Sequence, residues 1–441
     1  MAPVRAGDAP PAPSSDPGAP PTPRASSLGN ALGWAAYLAC SWTWCIGMFL
    51  PVLLVRDYGI WGFIVFAVPN VLGAAAMGWV LRSRRSADLI VSHHRWAVRR
   101  FSWVTIAFHL FFLGWIVTII APDYWNVVWR QSDMALFVGA IALGIALMVV
   151  LVALRRLAAA AWLVWAASII LGVLVLRAGA WDQLVASRQS SIFRSFRPEA
   201  LMFLAPAVVF GFALCPYLDA TFLLTRRSLD PRHSRFAFSF GFGALFAVMI
   251  LLTLGYSAAM IPTTSVVPIG GLAPAMFAAL LPHLILQSAF TIAVHLHAVP
   301  RSQARVPRAA LIAGAIILGL GLIAAGTLAS DHNYKNRLLG EVIYRLFMSF
   351  YGLVFPAYVW ICMIPTRGAA GEVHRGLDGA EGRVKIIAWL ASVAIAAPAY
   401  WMGFIERQTV WLAPGLLVVL GARLVVLLAL RSRTVPALKS P

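Results

Sequence analysis

The sequence predicts an all-α polytopic membrane protein with about 12 transmembrane helices. Of its 441 residues, 61% are hydrophobic and 12% are charged, which is about half the charged fraction of a soluble domain. The apolar runs are about 20 residues or longer, as membrane-spanning helices require, and they lack the alternation of a β-barrel. These observations exclude a soluble enzyme and a disordered chain.

We number the apolar runs as predicted spans 1 to 12 and use these numbers throughout. In chain order the spans cover 31–55, 60–81, 101–121, 134–154, 157–176, 200–224, 236–261, 272–298, 309–329, 340–364, 386–405 and 409–430.

Charge sets the predicted orientation. The chain carries 35 Lys and Arg against 16 Asp and Glu. With a cytoplasmic N-terminus and an even number of spans, most of the basic residues fall in inner loops, so both termini are expected in the cytoplasm. The expected location is the plasma membrane, or the inner membrane of a bacterium. No basic patch interleaved with aromatics indicates a nucleic-acid partner. The oligomeric state is left open.

The segments between and beside the spans define the predicted domain organisation. Residues 1–29 are rich in Pro, Ala and Ser and contain no apolar run, which predicts a disordered tail. The other units are a ten-helix core over 30–366 with repeats over 31–176 and 200–365, a cytoplasmic loop over 367–385, two additional helices over 386–430 and a cytoplasmic tail over 431–441.

Span 6 carries the only acid well inside an apolar run, Asp219. Because Pro216 cannot donate a backbone hydrogen bond, this span is expected to break near Cys215. Two interpretations of Asp219 stay open: it complements the dipole of the second half-helix, or it binds a cationic group or a coupling proton.

In span 10, Arg345 is expected to pair with Glu341 and to extend toward the membrane surface.

Span 1 contains a second expected break, marked by Gly47 and Pro51. Paired broken helices in two inverted halves point to the central site of a transporter, and spans 1 and 6 are five apart. The sequence therefore predicts a solute site between the two breaks, and aromatic and polarizable side chains would form its wall. The candidate solute-binding residues are Trp42, Trp44, Cys45, Gly47, Met48, His109, Gly211, Cys215, Tyr217 and Asp219.

Span 8 carries a polar stripe. Ser288, Thr291 and His295 share one helical face, with Gln287 beside it. Gln287, Ser288 and Thr291 are candidate ligands of a coupling ion, Na⁺ or H⁺. The alternative is interhelical hydrogen bonding. No other cofactor and no structural or catalytic metal is expected.

Three sequence segments resemble sodium/solute symporter-like members of the amino acid–polyamine–cation superfamily. They are Ile46-Gly-Met-Phe-Leu-Pro-Val-Leu-Leu-Val-Arg-Asp-Tyr-Gly59, Arg82-Ser-Arg-Arg-Ser-Ala-Asp-Leu89 and Ala213-Leu-Cys-Pro-Tyr-Leu-Asp219. The resemblance, over about 31–365, implies a LeuT-type fold with a 5+5 inverted repeat, here with two extra helices. The family's adjacent Ser/Thr pair in span 8 is replaced by Gln287-Ser288 and a separate Thr291.

The sequence thus predicts a secondary active transporter, not an enzyme, that moves a small solute by alternating access around spans 1 and 6. Its expected partners are that solute and the lipid bilayer. Two alternatives remain open. One is a membrane-embedded redox, haem or other enzyme that uses intramembrane histidines such as His283 and His297. The other is a non-transporting sensor or accessory subunit.

Overall fold

A computed structural model of the protein describes residues 27–120, 144–150 apart from 145 and 147, 156–187, 197–261, 274–299, 308–329, 333–367 apart from 336, and 373–432 apart from 375, 376 and 378. Most of span 4 and the 121–143 segment lie outside the described residues, as does the segment over 262–273.

The described elements are almost entirely helical. The α-helices are α1 Leu28–Trp42, α2 Cys45–Val80, α3 Arg84–Ile120, α4 Leu157–Val175, α5 Trp181–Ser187, α6 Pro198–Leu214, α7 Ala220–Ser228, α8 Pro231–Phe240, α9 Ala247–Met260, α10 Pro274–Ala298, α11 Arg308–Leu328, α12 Leu339–Ser349, α13 Phe355–Tyr358, α14 Gly379–Tyr400 and α15 Leu412–Ser432. The π-helical segments are Leu176–Ala180, Gly241–Phe246, Phe350–Val354, Val359–Met363 and Trp401–Ile405, and the 3₁₀ segments are Cys215–Leu218 and Thr409–Trp411. Two short antiparallel hairpins pair Asn333–Tyr334 with Arg337–Leu338 and Thr366–Arg367 with Val373–His374.

Eight helices in the described part of the chain are long and apolar enough to cross a membrane. Their outer faces carry large apolar side chains, such as Ile170, Leu424 and Leu428, that are more than half exposed. Such side chains fit a lipid environment, where the surrounding solvent is itself apolar. An all-α, multi-pass membrane protein is therefore confirmed, whereas the count of 12 spans stays a prediction.

Span 1 is broken, but not where the sequence predicts. Helix α1 ends at Trp42 and α2 begins at Cys45, so the break lies at Thr43 and Trp44. Gly47 and Pro51 lie inside α2, and the prediction of a break there is wrong. No proline causes the observed break; the unwound residues are held by contacts from other spans, described below.

Helix α2 contains both the second half of span 1 and all but the last residue of span 2. The two parts are separated at Gly59, whose φ of 66° is a left-handed conformation that glycine adopts at little cost. Helix α3 bends at His94, where an amphipathic stretch joins span 3. At the start of the described residues, Ser27 caps α1, and Leu28 and Gly29 are helical. The disordered tail predicted over 1–29 therefore ends too late in the sequence.

Span 6 breaks where Pro216 predicts. Helix α6 ends at Leu214, a 3₁₀ turn follows, and α7 begins at Ala220. Pro216 has no N–H to donate to the carbonyl of Phe212, which explains the end of α6. The second half begins after Asp219 and not at Pro216, because Asp219 is the N-cap residue of α7.

Span 1 forms the centre of the bundle. Its residues from Ala35 to Val55 are all buried. Helix α1 packs against α4, α8 and α10, while α2 packs against α6 and α9. Thr43 and Trp44 at the break are buried as well. The break therefore faces protein and not lipid, as unwound backbone at membrane depth requires.

Candidate functional site

A cavity of about 60 Å³ lies beside the breaks of spans 1 and 6. It is bounded by spans 1, 2, 6 and 10 and by one residue of span 11, Phe404. The lining residues are Trp42, Trp44, Ile46, Gly47, Leu50, Asn70, Ala207, Val208, Gly211, Phe212, Cys215, Met348, Tyr351, Gly352 and Phe404. Of the predicted solute-binding residues, Trp42, Trp44, Gly47, Gly211 and Cys215 are therefore brought together around one space.

Two tryptophans at the first break form one wall. The indole rings of Trp42 and Trp44 lie 4.4 Å apart between centroids, and Trp44 lies 5.3 Å from Tyr351. The Trp42 indole N–H donates to Asn70 Oδ1 at 2.6 Å, and the Trp44 indole N–H donates to the Ser41 carbonyl. These bonds fix both rings at the unwound backbone.

The second break forms the opposite wall. Gly211 and Cys215 pack against the π-helical part of span 10: a Cβ on Gly211 would lie 2.9 Å from the Tyr351 carbonyl oxygen, and the Cys215 thiol donates to the same oxygen at 3.1 Å. Pro356 cannot donate to the Gly352 carbonyl, which favours the wider π-helical turn at this point.

His109 of span 3 reaches the first break from behind the cavity. Its Nε2 accepts from the Cys45 N–H at 3.1 Å, and its Nδ1 lies 2.7 Å from the Thr105 carbonyl oxygen. A carbonyl can only accept, so Nδ1 carries the proton and the imidazole is neutral. His109 thus caps the N-terminus of α2 and does not line the cavity. Met48 is also buried outside the cavity, where its carbonyl accepts from the Tyr256 hydroxyl.

Asp219 caps α7 and lies outside the cavity lining. Its Oδ1 accepts from the Thr221 N–H at 2.7 Å and from the Thr221 hydroxyl at 2.6 Å. The Thr221 hydroxyl is 3.1 Å from that of Ser41, which connects the two broken spans. Asp219 Oδ2 is buried and has no hydrogen-bond partner in the described part of the chain. The capping interpretation therefore explains the contacts of Oδ1 but gives no role to Oδ2.

The polar stripe of span 8 is completely buried and largely unsatisfied. Ser288 Oγ, Thr291 Oγ1 and both ring nitrogens of His295 have no hydrogen-bond partner among the described residues. The Gln287 amide nitrogen donates to Ser168 Oγ at 2.7 Å, but its oxygen is also unpartnered. Buried polar groups are normally hydrogen-bonded, and a bound water or ion is one explanation for groups without a partner. No group of three His, Cys, Asp or Glu side chains suited to a metal occurs in the described ranges.

Tyr217 lines a second cavity, which we call the vestibule. It measures about 830 Å³. Its lining residues are Val80, Leu81, Ser83, Arg85, Ser86, Leu89, Ile90, His93, His94, Leu214, Tyr217, Val359, Met363, Ile364 and Pro365. The residues Leu214 and Cys215 are consecutive and line different cavities, so the 3₁₀ turn of span 6 forms part of the partition between the vestibule and the central cavity.

A buried ion-pair network, which we call the arginine network, was not predicted from the sequence. It joins the carboxylates of Asp57 and Glu341 to the guanidiniums of Arg56, Arg345 and Arg407. The predicted pair of Arg345 with Glu341 is present, at 2.8 Å. The expected extension of Arg345 toward the membrane surface is wrong, because its side chain is only 7% exposed and also binds Asp57.

The arginine network and the vestibule lie at opposite ends of span 2. Asp57 of the network lies three residues before span 2 begins at 60. Leu81 of the vestibule follows Val80, the last helical residue of this span. About 20 helical residues between them correspond to about 30 Å, the thickness of the bilayer core. The central cavity therefore lies in a bundle that is cross-linked by ion pairs at one end and hollow at the other.

Comparison with known proteins gives no assignment. No protein-family model matches this chain, and no curated protein matches it at a significant level.

Proposed function

We propose that this protein is a secondary active transporter that carries a small solute through the central cavity, coupled to Na⁺ or H⁺. The resemblance to the amino acid–polyamine–cation superfamily and its LeuT-type fold belongs to the same proposal. So does the predicted orientation with both termini in the cytoplasm.

One observation carries the proposal: the breaks of spans 1 and 6 meet at one cavity. Unwound backbone inside a membrane protein is tolerated where it is buried in protein or lines a cavity. Discontinuous helices in corresponding positions of two halves are typical of solute sites in transporters. Trp44 at the first break and Cys215 at the second both line the cavity.

The two ends of the bundle support alternating access. In the predicted orientation, the arginine network lies at the outer end and the vestibule opens toward the cytoplasm. The network links the end of span 1 to span 10 through Arg56 and Glu341, and to the loop after span 11 through Arg407 and Asp57. The described conformation would then be closed on the outside, and outward opening would require these ion pairs to separate.

Coupling would use the unsatisfied polar groups behind the cavity. Oxygen ligands suit Na⁺, and Ser288, Thr291 and Asp219 each offer a buried oxygen without a partner in the described chain. The same Asp219 oxygen offers a site for a proton. These groups support an ion-coupled mechanism and leave the choice of ion to experiment.

The test is accumulation of solutes in proteoliposomes. A panel of uncharged, cationic and anionic small solutes would be presented under a Na⁺ gradient and, separately, under a proton gradient. We expect accumulation driven by one of these gradients and its loss in Val208→Phe, because Val208 lines the cavity and the larger side chain would fill it.

Val209→Phe is the matched control, since Val209 is the next residue of the same helix, is 49% exposed and does not line the cavity. Equal accumulation in the two phenylalanine variants would show that solute does not pass through this cavity. A complete lack of gradient-driven accumulation for the panel, with the protein folded, would contradict the transport proposal itself.

A further inference from the structure

We infer, resting on the proposed function, that the transported solute is a small, uncharged and mainly apolar molecule with a hydrogen-bond acceptor that contacts Asn70. The inference comes from the chemistry of the central cavity, which offers aromatic surface and one amide donor but no ionic group.

The first step concerns charge. None of the residues that line the cavity is charged. The nearest break-associated acid, Asp219, does not line the cavity and uses Oδ1 to bind Thr221. The carboxylates of Asp57 and Glu341 are already bound by guanidiniums. An ion that enters this cavity would therefore lose its hydration without gaining a counter-charge, which costs several kcal/mol.

The second step concerns hydrogen bonds. The polar groups of the cavity wall are mostly used within the protein: Trp42 N–H by Asn70, Trp44 N–H by Ser41, the Cys215 thiol by the Tyr351 carbonyl, and the Tyr351 hydroxyl by Thr105 at 3.0 Å. The Asn70 amide oxygen accepts from Trp42, which leaves the amide NH₂ directed elsewhere. No hydrogen bond among the described residues uses that NH₂, and Asn70 is 2% exposed.

This distribution defines what the solute must supply. A buried donor that is left unpaired costs about 1–3 kcal/mol, so a solute with an acceptor opposite Asn70 is favoured over one without. A solute donor would find no free acceptor side chain on the wall. The body of the solute would contact Trp44, Phe212, Met348 and Phe404, which are apolar surfaces.

Anionic and cationic solutes are disfavoured for different reasons. Helix N-termini attract anions, and the N–H groups of Ile46 and Gly47 follow the Cys45 N–H that His109 binds. A helix start carries only about half a positive charge, which does not replace the hydration that a full anion loses. Aromatic rings attract cations, with a gain of about 2 kcal/mol when the cation is desolvated, which is less than the cost of burying an unpaired ion. The vestibule, lined by Arg85, His93 and His94 and by no acid among the described residues, further disfavours a cation.

The experiment uses three probes of similar shape and different charge: tert-butyl methyl ketone, pivalate and tetramethylammonium. The ketone and pivalate differ only by a methyl group in place of a charged oxygen. Saturable binding to the full-length protein in nanodiscs would be followed by tryptophan fluorescence and by thermal stabilisation. We expect the ketone to bind at least about tenfold more tightly than either ion, because burial of an unpaired charge is unfavourable.

Two variants test the role of the amide. Asn70→Leu should weaken ketone binding by up to about tenfold, the value of one hydrogen bond. Asn70→Gln keeps an amide donor at this position of the wall, so it should weaken ketone binding less than Asn70→Leu does. Val208→Phe should abolish saturable binding, and Val209→Phe should leave it unchanged, which separates cavity binding from partition into lipid.

The inference is overturned if pivalate or tetramethylammonium binds as tightly as the ketone, or if the ketone shows no saturable binding. Equal effects of Asn70→Leu and Asn70→Gln on ketone binding would show that the amide donor does not bind the solute. These failures are distinguishable from failure of the proposed function: selective ketone binding without gradient-driven accumulation would contradict transport and leave the solute class standing.

Discussion

Replacement of Arg345 by methionine should destabilise the protein substantially. The Arg345 guanidinium donates to Glu341 at 2.8 Å, to Asp57, and to the Phe404 carbonyl at 3.2 Å, and the side chain is only 7% exposed. Loss of one member of a buried ion pair costs about 3–5 kcal/mol. Both acids keep another partner, Arg56, so we expect the lower end of this range, about 3 kcal/mol.

A second ion pair provides the matched control. Lys335 binds Glu406 at 3.1 Å, but the lysine side chain is 62% exposed. Exposed pairs contribute about 0–1 kcal/mol, so Lys335→Met should change the free energy of unfolding very little. Both variants retain a long apolar side chain, and the comparison therefore isolates burial.

The assay is equilibrium unfolding of purified protein in mixed micelles with increasing denaturing detergent, with melting temperature as a second readout. Arg345→Met should shift the midpoint far more than Lys335→Met. Equal shifts would refute the assignment of the arginine network as a buried structural and gating element, since the network would then behave as a surface charge cluster.

Three further predictions concern other residues. Asp219→Asn should lower the free energy of unfolding by about 1 kcal/mol or less, because Asn is also a good N-cap residue. Gradient-driven uptake in proteoliposomes should be lost in this variant. Unchanged uptake would show that Asp219 only caps α7. His109→Leu should destabilise the protein by about 1–3 kcal/mol by leaving the Cys45 N–H unpaired, and His109→Gln should recover most of this loss in thermal unfolding; identical melting curves for the two variants would argue against the cap. A cysteine introduced at Thr264, which lies outside the described residues, should react with an impermeant reagent added to whole cells; labelling only after lysis would invert the predicted orientation.

The break of span 6 was predictable because its cause is local. Pro216 removes one backbone donor from its own helix wherever the fold places it. Span 1 differs: its break at Thr43 and Trp44 has no proline, and the bonds around it come from Asn70 and His109, residues distant in sequence. A glycine and a proline in an apolar run, at Gly47 and Pro51, did not suffice to locate it.

The candidate site was predicted in part for the same reason. Membership of the cavity depends on where each side chain points after the breaks, and helical periodicity does not apply across unwound residues. Tyr217 therefore lines the vestibule, although Cys215 lines the central cavity. Asn70 was missed, yet its sequence context offered a clue: it is an amide inside an apolar run, directly after Pro69.

The arginine network was hidden by sequence separation. Arg56 and Glu341 lie 285 residues apart, and Arg407 and Asp57 lie 350 apart. Only the Arg345–Glu341 pair has the spacing of neighbours on one helix. A rule that assigns helix-end arginines to the membrane surface fails for Arg345 because Asp57, which follows span 1, binds it inside the protein.

Alkylation of Cys215 from each side of the membrane tests the central claim most directly. In a variant with Cys40, Cys45 and Cys362 replaced by alanine, an impermeant thiol reagent would be applied to right-side-out and inside-out vesicles. We predict reaction from the cytoplasmic side, once the 3₁₀ turn that separates the vestibule from the central cavity moves aside during transport. We predict reaction from the outside only when Arg345→Met is added to disrupt the arginine network. Reaction that occurs equally from both sides without this change, or never from the cytoplasmic side, would contradict alternating access to the cavity between the two breaks.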